Sequence, residues 1–551
     1  MSMIQEDFVY MPGQNEVRTA HLDEAHAGDI HGAWGTIRRG DMARRPTWLA
    51  QLLTLLIIMG PGLVTMVGDN DAGGIATYTQ ASQNYGTSLL WTLLILIPVL
   101  IVNQEMVVRL GAVSRVGHAR LIFERFGKFW GAFSVIDLFI LNFLTIVTEF
   151  IGFTMALQFF GVSPYISVPI GVLGLIAITV TGSFRRWESA MWICCFASFL
   201  MIPLALIPHP VLGPIVHDTF IPGIRGGINS TALLTIIAIV GTTVAPWQLF
   251  FQQYNVVDKR ITSRWVKHER TDTIIGSFIT NIEAAGLIVA AAFVGTKFDG
   301  NFVDVLTTAN GYAQLGHPAM GAILAIVLLN ASIIGACAVS LSTSYAFGDV
   351  FKVNHSLHRK VNEAKLFYGS YVTLVVLAGA IVLIPGAPLG LLTLAVQALA
   401  GILLPSATVF LVLLCNDRTV LSPWVNRPWL NAVAAVIVGL LVMLSLILAT
   451  VTIFPDIDAT RLAAALGIIL VAGLLTMGAI SLVRHRPRGP DLEQPALSRM
   501  EKETWQMPPL AELTKPTWSI TRKIGMFTLR AYLFIAVILL VFKVIQLAIV
   551  H

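Results

Sequence analysis

The stretch Gly60-Pro61-Gly62-Leu63-Val64-Thr65-Met66-Val67-Gly68-Asp69-Asn70-Asp71-Ala72-Gly73-Gly74-Ile75-Ala76-Thr77 decides how this chain is read. It lies inside an apolar run long enough to cross a membrane. Midway, two carboxylates and three glycines interrupt the run. Gly weakens a helix by about 1 kcal/mol relative to Ala, so Gly73 and Gly74 beside Asp69 and Asp71 predict a broken span. A second break is expected in Gly241-Thr242-Thr243-Val244-Ala245-Pro246-Trp247-Gln248. There Pro246 removes a backbone donor and crowds the preceding turn.

The rest of the chain fits that setting. Of 551 residues, 56% are hydrophobic and only 12% charged, about half the charge of an ordinary soluble domain. This excludes a soluble enzyme, a disordered chain and a disulfide-rich secreted domain. Cys194, Cys195, Cys337 and Cys415 lie in or beside apolar runs without C-x-x-C spacing, so they read as reduced packing residues. The polar stretch 1–49, with Asp7, Glu16, Asp23 and Glu24, does not read as a signal peptide.

Thirteen apolar segments are long enough to span, at 51–84, 88–110, 131–160, 164–183, 190–208, 231–257, 273–296, 318–348, 367–385, 388–415, 429–454, 460–483 and 526–550. The last carries Arg530 and Lys543, and either crosses with both charges snorkelling or lies flat. Basic loops alternate with basic-poor ones. Arg38, Arg39, Arg44 and Arg45 precede span 1; Arg115, Arg120, Arg125 and Lys128 follow span 2. Arg185 and Arg186 follow span 4, Lys259 to Arg270 follow span 6, and Lys352 to Lys365 follow span 8. The positive-inside tendency then places the N-terminus in the cytoplasm of a cell membrane, with a prokaryotic plasma membrane expected. Span 1 runs outward and span 6 inward. Paired broken helices in oppositely oriented halves point to a transporter's binding site.

At this point the residues resemble a family. Gly60-Pro61-Gly62 with Asp71-Ala72-Gly73-Gly74-Ile75-Ala76-Thr77 resembles the first span of the Nramp family of divalent-metal transporters, which reads Asp-Pro-Gly-Asn at the break. Ala245-Pro246-Trp247-Gln248-Leu249 is similar to its Met-Pro-His segment. Gly182-Ser183-Phe184-Arg185-Arg186-Trp187-Glu188 resembles its loop after span 4, and Ser340 to Gly348 its span 8. The resemblance covers about residues 51–415. It implies an all-α polytopic membrane protein of the leucine-transporter type. That fold has two inverted five-helix repeats, expected at 51–208 and 231–415, and broken helices 1 and 6. A cytoplasmic tail (1–50) is expected before these repeats, and spans 11 and 12 (429–483), a cytoplasmic loop (484–525) and a span 13 (526–551) after them.

The departures are as telling. Gly74 stands at the family's metal-binding Asn, Ala245 at its Met, Trp247 at its His, and Gln252 at its second His. This pattern resembles the Nramp-related magnesium transporters. The chemistry agrees. Mg²⁺ is hard, keeps several waters and is held through one or two carboxylates. A Met sulfur would favour softer ions such as Mn²⁺ or Fe²⁺, and its loss removes that discrimination.

Asp71 is the expected direct ligand, with Asp69 as a second ligand or an entry-path residue. The resemblance implies carbonyl ligands from Gly68 and Thr242. Gly74 and Ala245 enlarge the cavity. Trp247 lines it or merely packs. Asn70 and Gln248 hold waters or cap helix ends, and Gln397 matches a family Gln or bonds a neighbouring helix. No bound cofactor is expected, only the transported ion. The expected partners are divalent metals and lipid, with no nucleic acid and no obligate protein.

Every histidine falls in a loop, tail or helix edge, and the ninth segment has no charge. A proton relay needs titratable groups, so uncoupled uptake of Mg²⁺, and of Mn²⁺, is expected. Glu149 matches a family Glu, while Ile146 replaces a family Asp. Glu283, mid-span 7, reads as a packed acid, an ion-path residue or a residual proton carrier. The alternatives are a proton-coupled Mn²⁺/Fe²⁺ transporter, an organic-solute carrier, or a transport-inactive sensor or scaffold on the same fold. No motif of a membrane enzyme stands out.

Overall fold

The computed structural model describes residues 22–295, 302–387, 389–454, 456–484 and 498–514, with a few positions between 526 and 534. A short hairpin comes first, β1 (Ile30–Gly32) and β2 (Gly35–Ile37), paired antiparallel. It is followed by α1 (Trp48–Ile58), α2 (Pro61–Val67) and α3 (Ala72–Tyr85). Next come α4 (Leu90–Ser114), α5 (His118–Phe126), α6 (Lys128–Phe159), α7 (Pro164–Thr179), α8 (Phe184–Ala197), α9 (Met201–Leu206) and α10 (Leu212–Phe220). The second half holds α11 (Ser230–Thr243), α12 (Pro246–Asp258), α13 (Val266–Gly295), α14 (Val305–Gln314), α15 (Pro318–Phe351), α16 (Lys365–Val382) and α17 (Leu389–Cys415). Then follow α18 (Arg418–Leu421), α19 (Pro428–Ile453) and α20 (Ala459–Arg484).

Among the described residues ten helices, or eleven counting the bent pair α1–α2, are long and apolar enough to cross a membrane, and α7 is a shorter apolar helix. The first twelve expected spans are therefore helical. The thirteenth lies outside the described residues except at its start. There Arg530 sits 5.2 Å over the Trp130 ring, and Tyr532 hydrogen-bonds Ser445 and the Ile402 carbonyl.

Both expected breaks are present. The first falls between α2 and α3. The second is shorter than the sequence suggested: Gly241, Thr242 and Thr243 remain in α11, and only Val244 and Ala245 are non-helical. The helix continues to its last possible turn because the missing donor is at Pro246, not earlier. Span 5 is also segmented, as α8, a short tight turn and α9.

A further bend of 58° separates α1 from α2. It is fixed by charges at two helix ends. Lys259 Nζ donates to the Ile58 and Met59 carbonyls, each at 2.7 Å, and pairs with Glu188 at 2.5 Å. The Asp272 carboxylate accepts from the Gly60, Gly62 and Leu63 amides at 3.0, 2.7 and 3.1 Å. A cation at one helix C-terminus and an anion at the next N-terminus is the favourable polarity. Gly60 turns the corner with φ +148°, and a Cβ there would meet Glu188 Oε1 at 2.1 Å. In the sequence Lys259 is a sidedness marker and Glu188 the end of the family-like loop 182–188; their pairing spans 71 positions.

The centre of the bundle is polar as well as apolar. Asp69, Asp71, Gln104, Asn142, Glu149, Gln248 and Glu283 are all buried. The outside is inverted: Ile468, Ile469, Val471 and Leu475 on α20 are largely exposed, as a lipid-facing helix should be. Residues 22–47, expected as part of a tail, are folded against the bundle, with Ile30 and Ile37 buried beside Ile58, Val256 and Trp265.

Candidate metal-binding site

The two breaks leave backbone carbonyls without their helical donors. The carbonyl of residue i in an α-helix accepts from residue i+4. For Gly68, Asp69 and Asn70 those donors are Ala72, Gly73 and Gly74. The Ala72 amide instead donates to Glu149 Oε2 at 3.2 Å. The Gly73 and Gly74 amides turn to the Asp71 carboxylate, Gly74 at 2.7 Å. Asp71 is thus the N-cap of α3, satisfying amides that would otherwise be orphans. In span 6 the donor that Thr242 would use is Pro246, which has no N–H.

Oxygens converge on Gly74. A Cβ built there would lie 3.1 Å from the Asp69 carbonyl, 3.5 Å from Asp71 Oδ1 and 3.5 Å from Thr242 Oγ1. The space left by the missing side chain is therefore bounded by oxygen from both halves of the protein. Thr242 Oγ1, Asp69 Oδ2, Asn70 Oδ1, Glu149 Oε1 and Glu283 Oε1 are buried with no hydrogen-bond partner among the described residues. Four of these are carboxylate or amide oxygens and the fifth is a hydroxyl; buried oxygens without partners call for donors or a cation. Among the described residues no group of three or more His, Cys, Asp or Glu side chains forms a metal cluster. The donor set on offer is instead a carboxylate, a hydroxyl and main-chain carbonyls, which suits a hard ion.

The expected residues fall as follows. Asp71, Asp69, Gly74 and Thr242 meet around that space. Gly68 ends α2, and a Cβ on it would touch Trp247 Cη2 at 3.5 Å, so Trp247 packs against the break as one wall. The Trp247 ring also packs at a tilt against Phe251, 6.1 Å between centroids. Ala245 caps α12 and donates no side-chain hydrogen bond. Gln397 Nε2 would lie 1.6 Å from a Cβ on Gly73, so Gln397 occupies the notch that this glycine leaves. Gln248 donates to Asp69 Oδ1 and accepts from Gln104 Nε2 at 3.3 Å.

The structure adds residues that the sequence left unplaced. The Glu149 carboxylate, which accepts from the Ala72 amide, lies beside the Asp71 side chain. Both press against Gly335 of α15, where a Cβ would be 2.8 Å from Glu149 Oε2 and 3.0 Å from the Asp71 Cβ. Glu283 accepts from Asn70 Nδ2 at 3.1 Å, and the same amide donates to the Thr280 carbonyl at 2.9 Å. Glu283 therefore attaches span 7 to the first break. Gln104 gave no local signal, since a lone Gln in an apolar helix has no motif around it.

The model of the family described as natural resistance-associated macrophage protein-like matches residues 62–451. The chain belongs to the Nramp family. Curated relatives of this Nramp chain include the divalent metal cation transporter MntH of Latilactobacillus sakei, 25% identical over 425 residues, covering 73% of this chain and 90% of that one. MntH of Staphylococcus aureus is 25% identical over 421 residues, covering 71% and 90%. Among solved structures, the Eremococcus coleocola manganese transporter superposes with a TM-score of 0.61 at 19% identity, covering 80% of this chain and 96% of that one. That likeness carries the fold, with its two five-helix repeats and broken helices 1 and 6.

Proposed function

We propose that this Nramp protein is a secondary transporter that carries divalent metal ions across the membrane, with Mg²⁺ as its main cargo and Mn²⁺ as a second. The observation that carries the reading is the oxygen-lined space at Gly74. The Asp71 carboxylate, the Thr242 hydroxyl and the Asp69 carbonyl border it, and the Gly68 and Thr242 carbonyls, which lack helical donors at the two breaks, are the further ligands of this reading. The space has no sulfur, because Ala245 stands where a thioether would favour softer ions. Gly74 and Ala245 leave room for an ion that keeps part of its water. The chain's relatives, a divalent metal cation transporter and a manganese transporter, support a divalent metal cargo.

The ion enters the space between the breaks and exchanges some waters for Asp71 and the released carbonyls. Gln248 and Asn70 hold the surrounding carboxylates in place. Alternating access then follows from the two halves moving about this fixed point. An inward membrane potential of 100 mV favours a divalent cation by about 4.6 kcal/mol, from about 2.3 per charge, so uptake needs no proton partner. With the N-terminus inside, the cargo moves into the cytoplasm.

One observation favours a second reading. Two carboxyls side by side, Asp71 and Glu149, can hold a proton between them, which is what a proton-coupled Mn²⁺/Fe²⁺ transporter needs. Parallel assays in liposomes decide between the two. A trapped Mg²⁺ dye and a trapped pH dye report on the same preparation. Mg²⁺ entry without acidification supports the first reading; acidification that accompanies Mn²⁺ entry and requires Glu149 supports the second.

A further inference from the structure

Away from the metal path lies a cavity of about 560 Å³, lined by the β1–β2 hairpin region, the turn after α4, the α12–α13 turn and residues 503–506. Its volume is in the range of small-molecule sites. Its wall is basic: Arg38, Arg39, Arg115, Arg260 and Arg264 all line it, with Trp265 between them. Two acids also line it, and both are engaged. Asp41 pairs with Arg45 at 2.5 Å, and Glu503 faces Arg264 at 4.0 Å.

The arginines divide into two groups. Arg260 donates to the Ala25 and Asp29 carbonyls at 2.8 and 3.0 Å, and Arg264 to the Ala43 carbonyl at 2.9 Å while lying 4.9 Å over the Trp265 ring. These two hold the walls. Arg115 is mostly buried, and its Nε has no hydrogen-bond partner among the described residues. Burial, and then the facing charge of Arg39, push the Arg115 guanidinium down to about 10. A desolvated guanidinium opposed by a second one is an unfavourable arrangement that a multivalent anion would relieve.

We propose that this cavity binds a phosphate-bearing anion, held by Arg115 and Arg39 with Arg38 at the rim. Guanidinium groups match phosphate oxygens in bidentate geometry. The volume admits a nucleoside triphosphate or the headgroup of an acidic phospholipid. The ligand would tie the hairpin to the α12–α13 turn, at the end of the helix that begins at the second break. The site does not depend on the cargo assigned above.

The test uses the purified full chain. Pyrophosphate and ATP are titrated calorimetrically in chelated, metal-free buffer at low and high salt. The comparison is with Arg39→Gln/Arg115→Gln and with Arg115→Lys. Retention of phosphatidic acid over phosphatidylcholine is measured on the same proteins by native mass spectrometry. Thermal melting checks that each variant is folded. Binding of a soluble phosphate that weakens about tenfold or more in the double glutamine variant, is largely kept in Arg115→Lys and falls with salt supports the site with a soluble ligand. Selective phosphatidic acid retention lost in the double variant supports it with a lipid headgroup. Absence of both, or binding indifferent to the folded double variant, overturns it.

Discussion

Gln248, two residues past the second helix break, donates its side-chain amide to the Asp69 carboxylate in the first break. One hydrogen bond thus joins the two halves of the protein at the place where both helices are interrupted. Removing the donor leaves a buried carboxylate oxygen without a partner, a cost of about 1–3 kcal/mol. Gln248→Leu is expected to lower the melting temperature by a few degrees and cut metal uptake about tenfold. Uptake at the wild-type level in that variant would mean that the two breaks need no tie.

The bend between α1 and α2 gives a stability prediction. Lys259 and Glu188 are fully buried and paired. Breaking such a pair from one side costs about 3–5 kcal/mol because a charge is left alone. Lys259→Met should therefore destabilise strongly, and Lys259→Met/Glu188→Met should recover part of the loss. A double-mutant cycle on thermal unfolding measures the coupling. Additive losses would contradict the assignment of the pair as the clamp.

Selectivity should follow two small residues. Gly74→Asn adds a side chain whose Cβ would lie 3.1 Å from the Asp69 carbonyl, so that carbonyl must give by a few tenths of an ångström. Ala245→Met adds a sulfur. Together they should raise Mn²⁺ over Mg²⁺ by about tenfold or more, a difference of about 1.4 kcal/mol. Competition of Mn²⁺ with Mg²⁺ uptake in the double variant is the readout, and an unchanged ratio would argue that the cavity at Gly74 does not set selectivity.

Attachment of the N-terminal segment should depend on pH. Asp23 accepts from Arg359 and from the His355 amide, at 2.6 and 2.9 Å. Burial raises its carboxyl, but Arg359 and the neighbouring amides outweigh that and hold it at about 2 against the usual 3.8. A depressed carboxylate stabilises fully above about pH 4, and that contribution is lost as pH falls toward 2. His355 moves the other way: burial lowers it, but Asp349 raises it further, above the usual 6.5. Its contribution is full below about pH 6.5 and fades as pH rises through the elevated value. His26, in the same segment and packed on His355, is held below the usual 6.5 by burial, so protonating it loosens the segment as pH falls below about 6.5. Protease cleavage near residue 30 should therefore be slowest near about pH 6.5 and faster at both about pH 4 and about pH 8.5. His355→Gln should flatten the alkaline side.

Much of this was legible in the sequence, for physical reasons. Membrane spans announce themselves because no polar backbone can be left bare in lipid. The breaks were visible because Asp69, Asp71, Gly73, Gly74 and Pro246 are costly in a helix. Asp71 and Thr242 both lie beside Gly74. The Ala72–Glu149 bond, the Asn70–Glu283 link and the Lys259–Glu188 pair join residues 71 to 213 positions apart. Local spacing holds no trace of such pairs. The hairpin at 30–37 was missed because its strands are three residues each, too short for an alternating pattern to register.

The most direct test of the central claim is Mg²⁺ entry into proteoliposomes under an inward-negative potential, with wild type and Asp71→Ala side by side. Asp71 both caps α3 and supplies the carboxylate at the oxygen-lined space, so folding of the variant is checked by its melting curve. Rapid Mg²⁺ entry in wild type, at least tenfold slower in folded Asp71→Ala, is the predicted result. Equal entry in both, or none in wild type while Mn²⁺ still enters, would contradict it.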